Sequence, residues 1–93
     1  MRTYEAMCVF RAETDSFTRG KDGVRAELTK LDSKIVKEEG MGQRTLAYPI
    51  KNESQGHYFY FVAEMDPEKA QQAPKAVELL EELLRFMVVK QEK

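Results

Sequence analysis

The sequence predicts one α+β domain in which strands and helices follow the order β-α-β-β-α-β. Three observations predict it. Four runs are rich in strand formers, two intervening stretches carry apolar residues at helical spacing, and the full 1–93 chain is long enough for a single core of two packed layers. Apolar residues make up 42% of the chain and charged residues 33%, so burial offsets chain entropy without a metal or a disulfide staple.

The first strand is read at residues 3–10, Thr-Tyr-Glu-Ala-Met-Cys-Val-Phe, ahead of a polar Arg-Ala-Glu-Thr-Asp-Ser loop. With Tyr4, Ala6, Cys8 and Phe10 on one side of the pleat, Met7 and Val9 take the other. From Lys21 to Lys34 the residues Val24, Leu28 and Leu31 repeat at i, i+4 and i+7, the stripe of an amphipathic helix. Gly20 and Gly23 weaken its start, which places the boundary between 17 and 23.

Ile35 and Val36 lead through Gly40 and Gly42, which suggest a bend or bulge, into the extended run Thr45-Leu-Ala-Tyr-Pro-Ile50. Pro49 has no amide proton to give a neighbouring strand, so this strand belongs at a sheet edge. The polar cluster from Lys51 to Gly56 separates it from the strongest strand signal in the chain, His57 to Met65, and the two make a hairpin.

Asp66-Pro67-Glu68 opens a second helix, with a capping candidate, a proline at the first position and an acid near the positive end of the dipole. Ala70, Ala73, Val77 and Leu80 then share one face. Pro74 falls inside that pattern and either kinks the helix or marks where it begins in earnest. Phe86 to Lys90 forms the fourth strand. The whole order is the split β-α-β, or ferredoxin-like, pattern: a four-stranded antiparallel sheet in the order 4-1-3-2 with both helices on one face. That order puts the second strand at an edge, as Pro49 requires.

With helices on one face only, the other face of a solitary protein would be polar. Pleat arithmetic instead assigns it Met7, Val9, Tyr58, Tyr60, Val62, Met87 and Val89. A continuous apolar and aromatic patch of this kind is read as an interaction surface for a protein partner, a second copy or RNA. Around it stand Arg2, Arg44, Lys51, Arg85 and Lys90, at or near strand ends, as candidate phosphate contacts. A net charge of −1 argues against coating nucleic acid by charge alone, so RNA binding would be local or shared with a basic partner.

Chemistry for catalysis is missing from the sequence. His57 is the one histidine and Cys8 the one cysteine, so neither a multi-histidine zinc site nor a disulfide is available. Gly20 and Gly23 sit in no phosphate-binding motif. No enzyme, catalytic residue, metal or cofactor is therefore expected. The third strand also lacks the basic and aromatic motif of a base-stacking RNA-recognition domain. The N-terminus carries no signal-peptide pattern, and no apolar run approaches the roughly 18 residues that suggest a membrane span, so the cytoplasm is expected.

Four segments carry a family resemblance: Arg2-x-Tyr4-Glu5 at the start, Arg44-Thr-Leu-Ala-Tyr-Pro-Ile50 in the second strand, Gln55-Gly56 at the hairpin and Met87-Val-Val-Lys90 at the end. Together they resemble the bacterial small-subunit ribosomal protein six family, in the right order over nearly the whole chain. The resemblance implies a ferredoxin-like, non-catalytic constituent of the small ribosomal subunit that acts in assembly and translation. It implies two partners, small-subunit ribosomal protein eighteen and a junction in the central domain of small-subunit ribosomal RNA, with no membrane and no small-molecule substrate. A competing reading from the residues alone is a homodimeric ferredoxin-like protein that binds or turns over a small molecule, with His57 and Tyr60 in a pocket at the sheet interface.

Overall fold

Period-two alternation in the central strands organises the protein. The computed structural model describes residues 2–90: β1 (Arg2–Arg11), α1 (Thr14–Lys30), β2 (Lys34–Ile50), β3 (Glu53–Met65), α2 (Pro67–Val77) and β4 (Leu83–Lys90). The strands form one antiparallel sheet in the order β2-β3-β1-β4, the expected 4-1-3-2 arrangement counted from the other edge. Tyr4, Ala6, Cys8 and Phe10 of β1 and Phe59, Phe61, Ala63 and Met65 of β3 are all buried toward the helices. Their registers set small against large, Ala6 beside Phe61 and Ala63 beside Tyr4, so the two strands interdigitate beneath the helices.

Helix α1 begins at Thr14, earlier than the 17 to 23 window read from Gly20 and Gly23, and it ends at Lys30 rather than Lys34. Its buried stripe is Ser16, Gly20, Val24 and Leu28, one residue every four. Gly20 belongs to the middle of that stripe because a Cβ there would stand 2.6 Å from Cδ1 of Phe10. Glycine lets the helix axis approach β1, and a low propensity in the sequence is a packing contact in the fold. Beyond the helix, Asp32 adopts φ 59° and the Ser33 hydroxyl donates to the Leu28 carbonyl at 2.6 Å, satisfying one of the last turn's acceptors.

Helix α2 opens where its sequence suggests, with Asp66 extended at the N-cap, Pro67 first and Glu68 in the first turn, but the Asp66 side chain makes no capping hydrogen bond. It runs on through Pro74, which is exposed. With no amide proton, Pro74 leaves the Ala70 carbonyl without its helical hydrogen bond. Ala70, Ala73 and Val77 are buried. Leu80 lies past the helix end yet packs on the core, with Cδ2 3.1 Å from where a Cβ on Gly23 would be.

The β2–β3 hairpin is longer and tighter than the polar cluster from 51 to 56 suggests. Lys51 and Asn52 carry φ 51° and 67°, and Ile50 pairs with Glu53, the two-residue turn that suits the right-handed twist of strands. Strand β2 changes register between Ile35 and Lys37, Gly40 and Gly42, and Thr45 and Ile50. At the last shift, residues 46–49 stand opposite Ser54 alone. The excess chain, Leu-Ala-Tyr-Pro, has to leave the plane of the sheet.

Candidate functional site: the open sheet face

Both helices cover one face, and the other is laid out in rows by the strand registers. Reading from β2 to β4, one row is Lys37, Val62, Glu5 and Val89; the next is Glu39, Tyr60, Met7 and Met87; the third is Gly42, Tyr58, Val9 and Arg85. All seven apolar residues assigned to this face by pleat arithmetic therefore stand in three adjacent rows. Val9 and Val62 are buried by their neighbours, whereas Met87 is 54% and Val89 48% exposed. The centre of the patch is close-packed, and its β4 flank offers apolar surface to solvent.

The β2 flank is polar and ordered. The Tyr60 hydroxyl donates to Oε2 of Glu39, the same carboxylate oxygen lies 3.4 Å from the Lys37 ammonium, and that ammonium sits 6.0 Å from the Tyr60 ring centroid. The tyrosine hydrogen bond, and after it Lys37, holds the Glu39 carboxyl below its ordinary range. Two exposed groups, Glu39 and Lys37, thus hold the Tyr60 ring at the edge of the apolar field.

At the far end the excess chain of β2 folds back over the sheet. The Arg85 guanidinium donates to the Tyr48 hydroxyl at 3.3 Å, and the Lys51 ammonium donates to the Leu83 carbonyl at 3.2 Å. Both contacts join the hairpin to β4 across β3 and β1. Beneath it, a Cβ on Gly56 would fall 2.5 Å from Cγ1 of Val9 and 3.3 Å from Cδ2 of Leu46, so only glycine lets these two side chains meet there. The result is a wall, Leu46 to Ile50, at one end of the open face.

The five candidate phosphate contacts fall into two groups. Arg44, Lys51 and Arg85 lie toward the walled end, opposite Gly56, at the turn and opposite Val9 respectively. Arg2 and Lys90 stand at the other end, opposite Met65 and Tyr4. At ~3.3 Å per residue along β1, the groups are roughly 15–30 Å apart, and their pairing with helix-facing residues puts Arg2 and Lys90 on the covered face. Arg44 also donates to the Met41 carbonyl at 3.4 Å.

His57 and Tyr60 do not share a pocket. Odd-numbered residues of β3 face the helices and even-numbered ones the open side, so the two project from opposite faces. His57 stacks on Phe17, with centroids 3.7 Å apart and planes 22° from parallel, and Lys21 lies 5.4 Å from the Phe17 centroid. Partial burial, and then Lys21, holds the imidazole below its usual pKa. Cys8 is buried between strands, and desolvation pushes its thiol far up from the reactive range.

Sequence reading missed Glu5 and the overhang. Glu5 alternates with Met7 and Val9, so the same pleat arithmetic puts it on the open face, where its cross-strand neighbours are Val62 and Val89. The overhang left no such signal, because a register shift breaks the alternation through which facing is read.

A split β-α-β sheet with one open apolar face defines a binding protein whose working surface is a sheet rather than a cleft. Comparison with known proteins makes this specific. The family model for Ribosomal protein S6 matches residues 3–90. A small ribosomal subunit protein bS6 of Treponema pallidum is 39% identical over 90 residues, covering 97% of each chain, and that of Treponema denticola is 37% identical over 92 residues, covering 99% of each. The crystal structure of 30S ribosomal protein S6 from Thermotoga maritima shares the fold at a TM-score of 0.85 and 24% identity, over 97% of this chain and 87% of that one. The chain belongs to the ribosomal protein S6 family. It is a small-subunit ribosomal protein, structural rather than enzymatic, and its place is the cytoplasmic ribosome.

Proposed function

We propose that the chain binds the central domain of small-subunit ribosomal RNA together with small-subunit ribosomal protein eighteen, during assembly and translation. The observation that carries this reading is the apolar open face, with Met87 and Val89 about half exposed on a protein that belongs to a ribosomal family. Met7, Val9, Tyr58, Tyr60, Val62, Met87 and Val89 form the protein interface. Tyrosine and methionine suit that role, since they combine area with adaptability.

Arg2, Arg44, Lys51, Arg85 and Lys90 are the RNA contacts: Arg44 and Arg85 share the open face with the interface, whereas Arg2 and Lys90 stand in register with the helix-facing residues Met65 and Tyr4 at the other end, so RNA touches the protein at two separate places. With a net charge of −1, this chain leaves much of the phosphate neutralisation to a basic partner and contributes shape, apolar area and a few cationic contacts. Weak affinity for RNA alone follows.

The interface is tested by the double substitution Tyr60→Asp and Met87→Asp, which places two charges in the apolar rows. Pull-down of protein eighteen is lost, while circular dichroism and the urea midpoint show a folded protein. Undiminished capture by a folded double variant would refute the interface.

A further inference from the structure

The open face is uneven. Where the Tyr58 and Tyr60 rows meet β4, Met7, Val9, Tyr58, Arg85 and Met87 line a depression of about 170 Å³. Engineered apolar cavities of ~150 Å³ accept benzene, so the space suits one bulky apolar side chain. The overhanging hairpin stands beside it: a second, smaller depression, lined by Leu46, Tyr48 and Ile50 with Val9, Tyr58 and Arg85, is continuous with the first through the last three. The Arg85–Tyr48 hydrogen bond holds this wall in place before anything binds, which lowers the ordering cost of binding.

One row beyond Met7 lies Glu5, flanked across the strands by Val62 and Val89. It takes part in none of the ion pairs among the described residues, whereas Glu39, the other acid of these rows, is answered by Lys37. Covering the face with an apolar partner would strip water from Glu5, which is unfavourable unless the partner brings a positive charge. Of this chain's own cations on the open face, Lys37 is paired with Glu39 and Arg85 donates to Tyr48, so a second copy would have to bring Arg44, which stands at the walled end away from Glu5.

We propose that the depression and Glu5 form a two-point receptor for the basic protein partner. The depression takes one bulky apolar side chain, and Glu5 takes a lysine or arginine of the same segment, roughly 7–13 Å away, one or two rows along the sheet. The apolar anchor supplies affinity, and the carboxylate fixes direction, since a segment laid the opposite way would set its cation against the Arg85 end. This rests on the open face being the protein interface.

The test is titration calorimetry of protein eighteen, the proposed partner, against wild type, Glu5→Gln, Met87→Trp, the Tyr60→Asp/Met87→Asp double variant and Leu79→Ala. Met87 is 54% and Leu79 89% exposed, so neither change disturbs the core, and thermal unfolding checks each variant. Glu5→Gln is expected to weaken binding roughly tenfold and flatten its salt dependence. Met87→Trp weakens it by a similar factor by occupying the depression, and Leu79→Ala leaves it unchanged.

If wild type binds and the double variant does not, yet Glu5→Gln and Met87→Trp bind as wild type, the receptor is wrong and the interface stands. If wild type fails to bind, or the double variant binds in full, the interface reading fails and the receptor with it. A homodimer that closes the open face in solution also overturns the proposal.

Discussion

Gly20 and Gly56 stand where side chains of neighbouring elements occupy the space of a Cβ. At Gly20 that Cβ would meet Phe10 at 2.6 Å and Glu82 at 2.9 Å. Alanine in a helix interior is favoured over glycine by ~0.8–1 kcal/mol, but overpacking a close contact costs ~1–3 kcal/mol. Gly20→Ala is therefore expected to destabilise the protein by about 1 kcal/mol in urea unfolding; a gain in stability would show that α1 can move off β1 freely. His57 supplies a second prediction. Its pKa in the folded protein lies below the ordinary 6.5 because burial, and then Lys21, oppose the charge, so the folded protein holds fewer protons than the unfolded chain. The stabilisation is fully present above pH 6.5 and is lost as pH falls through the depressed value. In His57→Phe, which keeps a ring against Phe17, unfolding midpoints between about pH 7.5 and 5 should change less than in wild type.

At the scale of elements, the hairpin does the most to shape the face. Lys51 and Asn52 both occupy the left-handed region, which asparagine tolerates better than most residues. Asn52→Ala is expected to cost about 1 kcal/mol, while Asn52→Gly stays within about 0.5 kcal/mol of wild type; thermal unfolding of the pair separates backbone strain from loss of the amide. The order of elements was legible because alternation in β1 and β3 and the stripe on α2 are strong periodic signals. Pro49 marked the edge strand for a local reason, its missing donor. The start of α1 was misread because Gly20 counts against a helix in propensity, and only the Phe10 contact explains its presence. The overhang of residues 46–49 was invisible because it depends on a register difference between two strands. Glu5 was legible and overlooked: its facing follows from the same parity as Met7, but its meaning depends on which cross-strand neighbours surround it.

Across the whole molecule, one face of the sheet makes the core and the other keeps an apolar centre, with Arg44 and Arg85 toward its walled end and Arg2 and Lys90 at the opposite end in register with helix-facing residues. Salt dependence tests how those cations are used. Replacing Arg2 and Arg85 by alanine removes one cation from each end, and the slope of log affinity for the RNA against log salt should fall by about 0.7–0.9 for each phosphate that is no longer neutralised. Sharing of RNA binding with the protein partner is measured by titrating the central-domain ribosomal RNA junction with the purified chain, with and without small-subunit ribosomal protein eighteen, across a salt series. Tight, salt-dependent binding only when both proteins are present is the expected result. Binding of this chain alone with undiminished affinity, or no binding in either case, would contradict it.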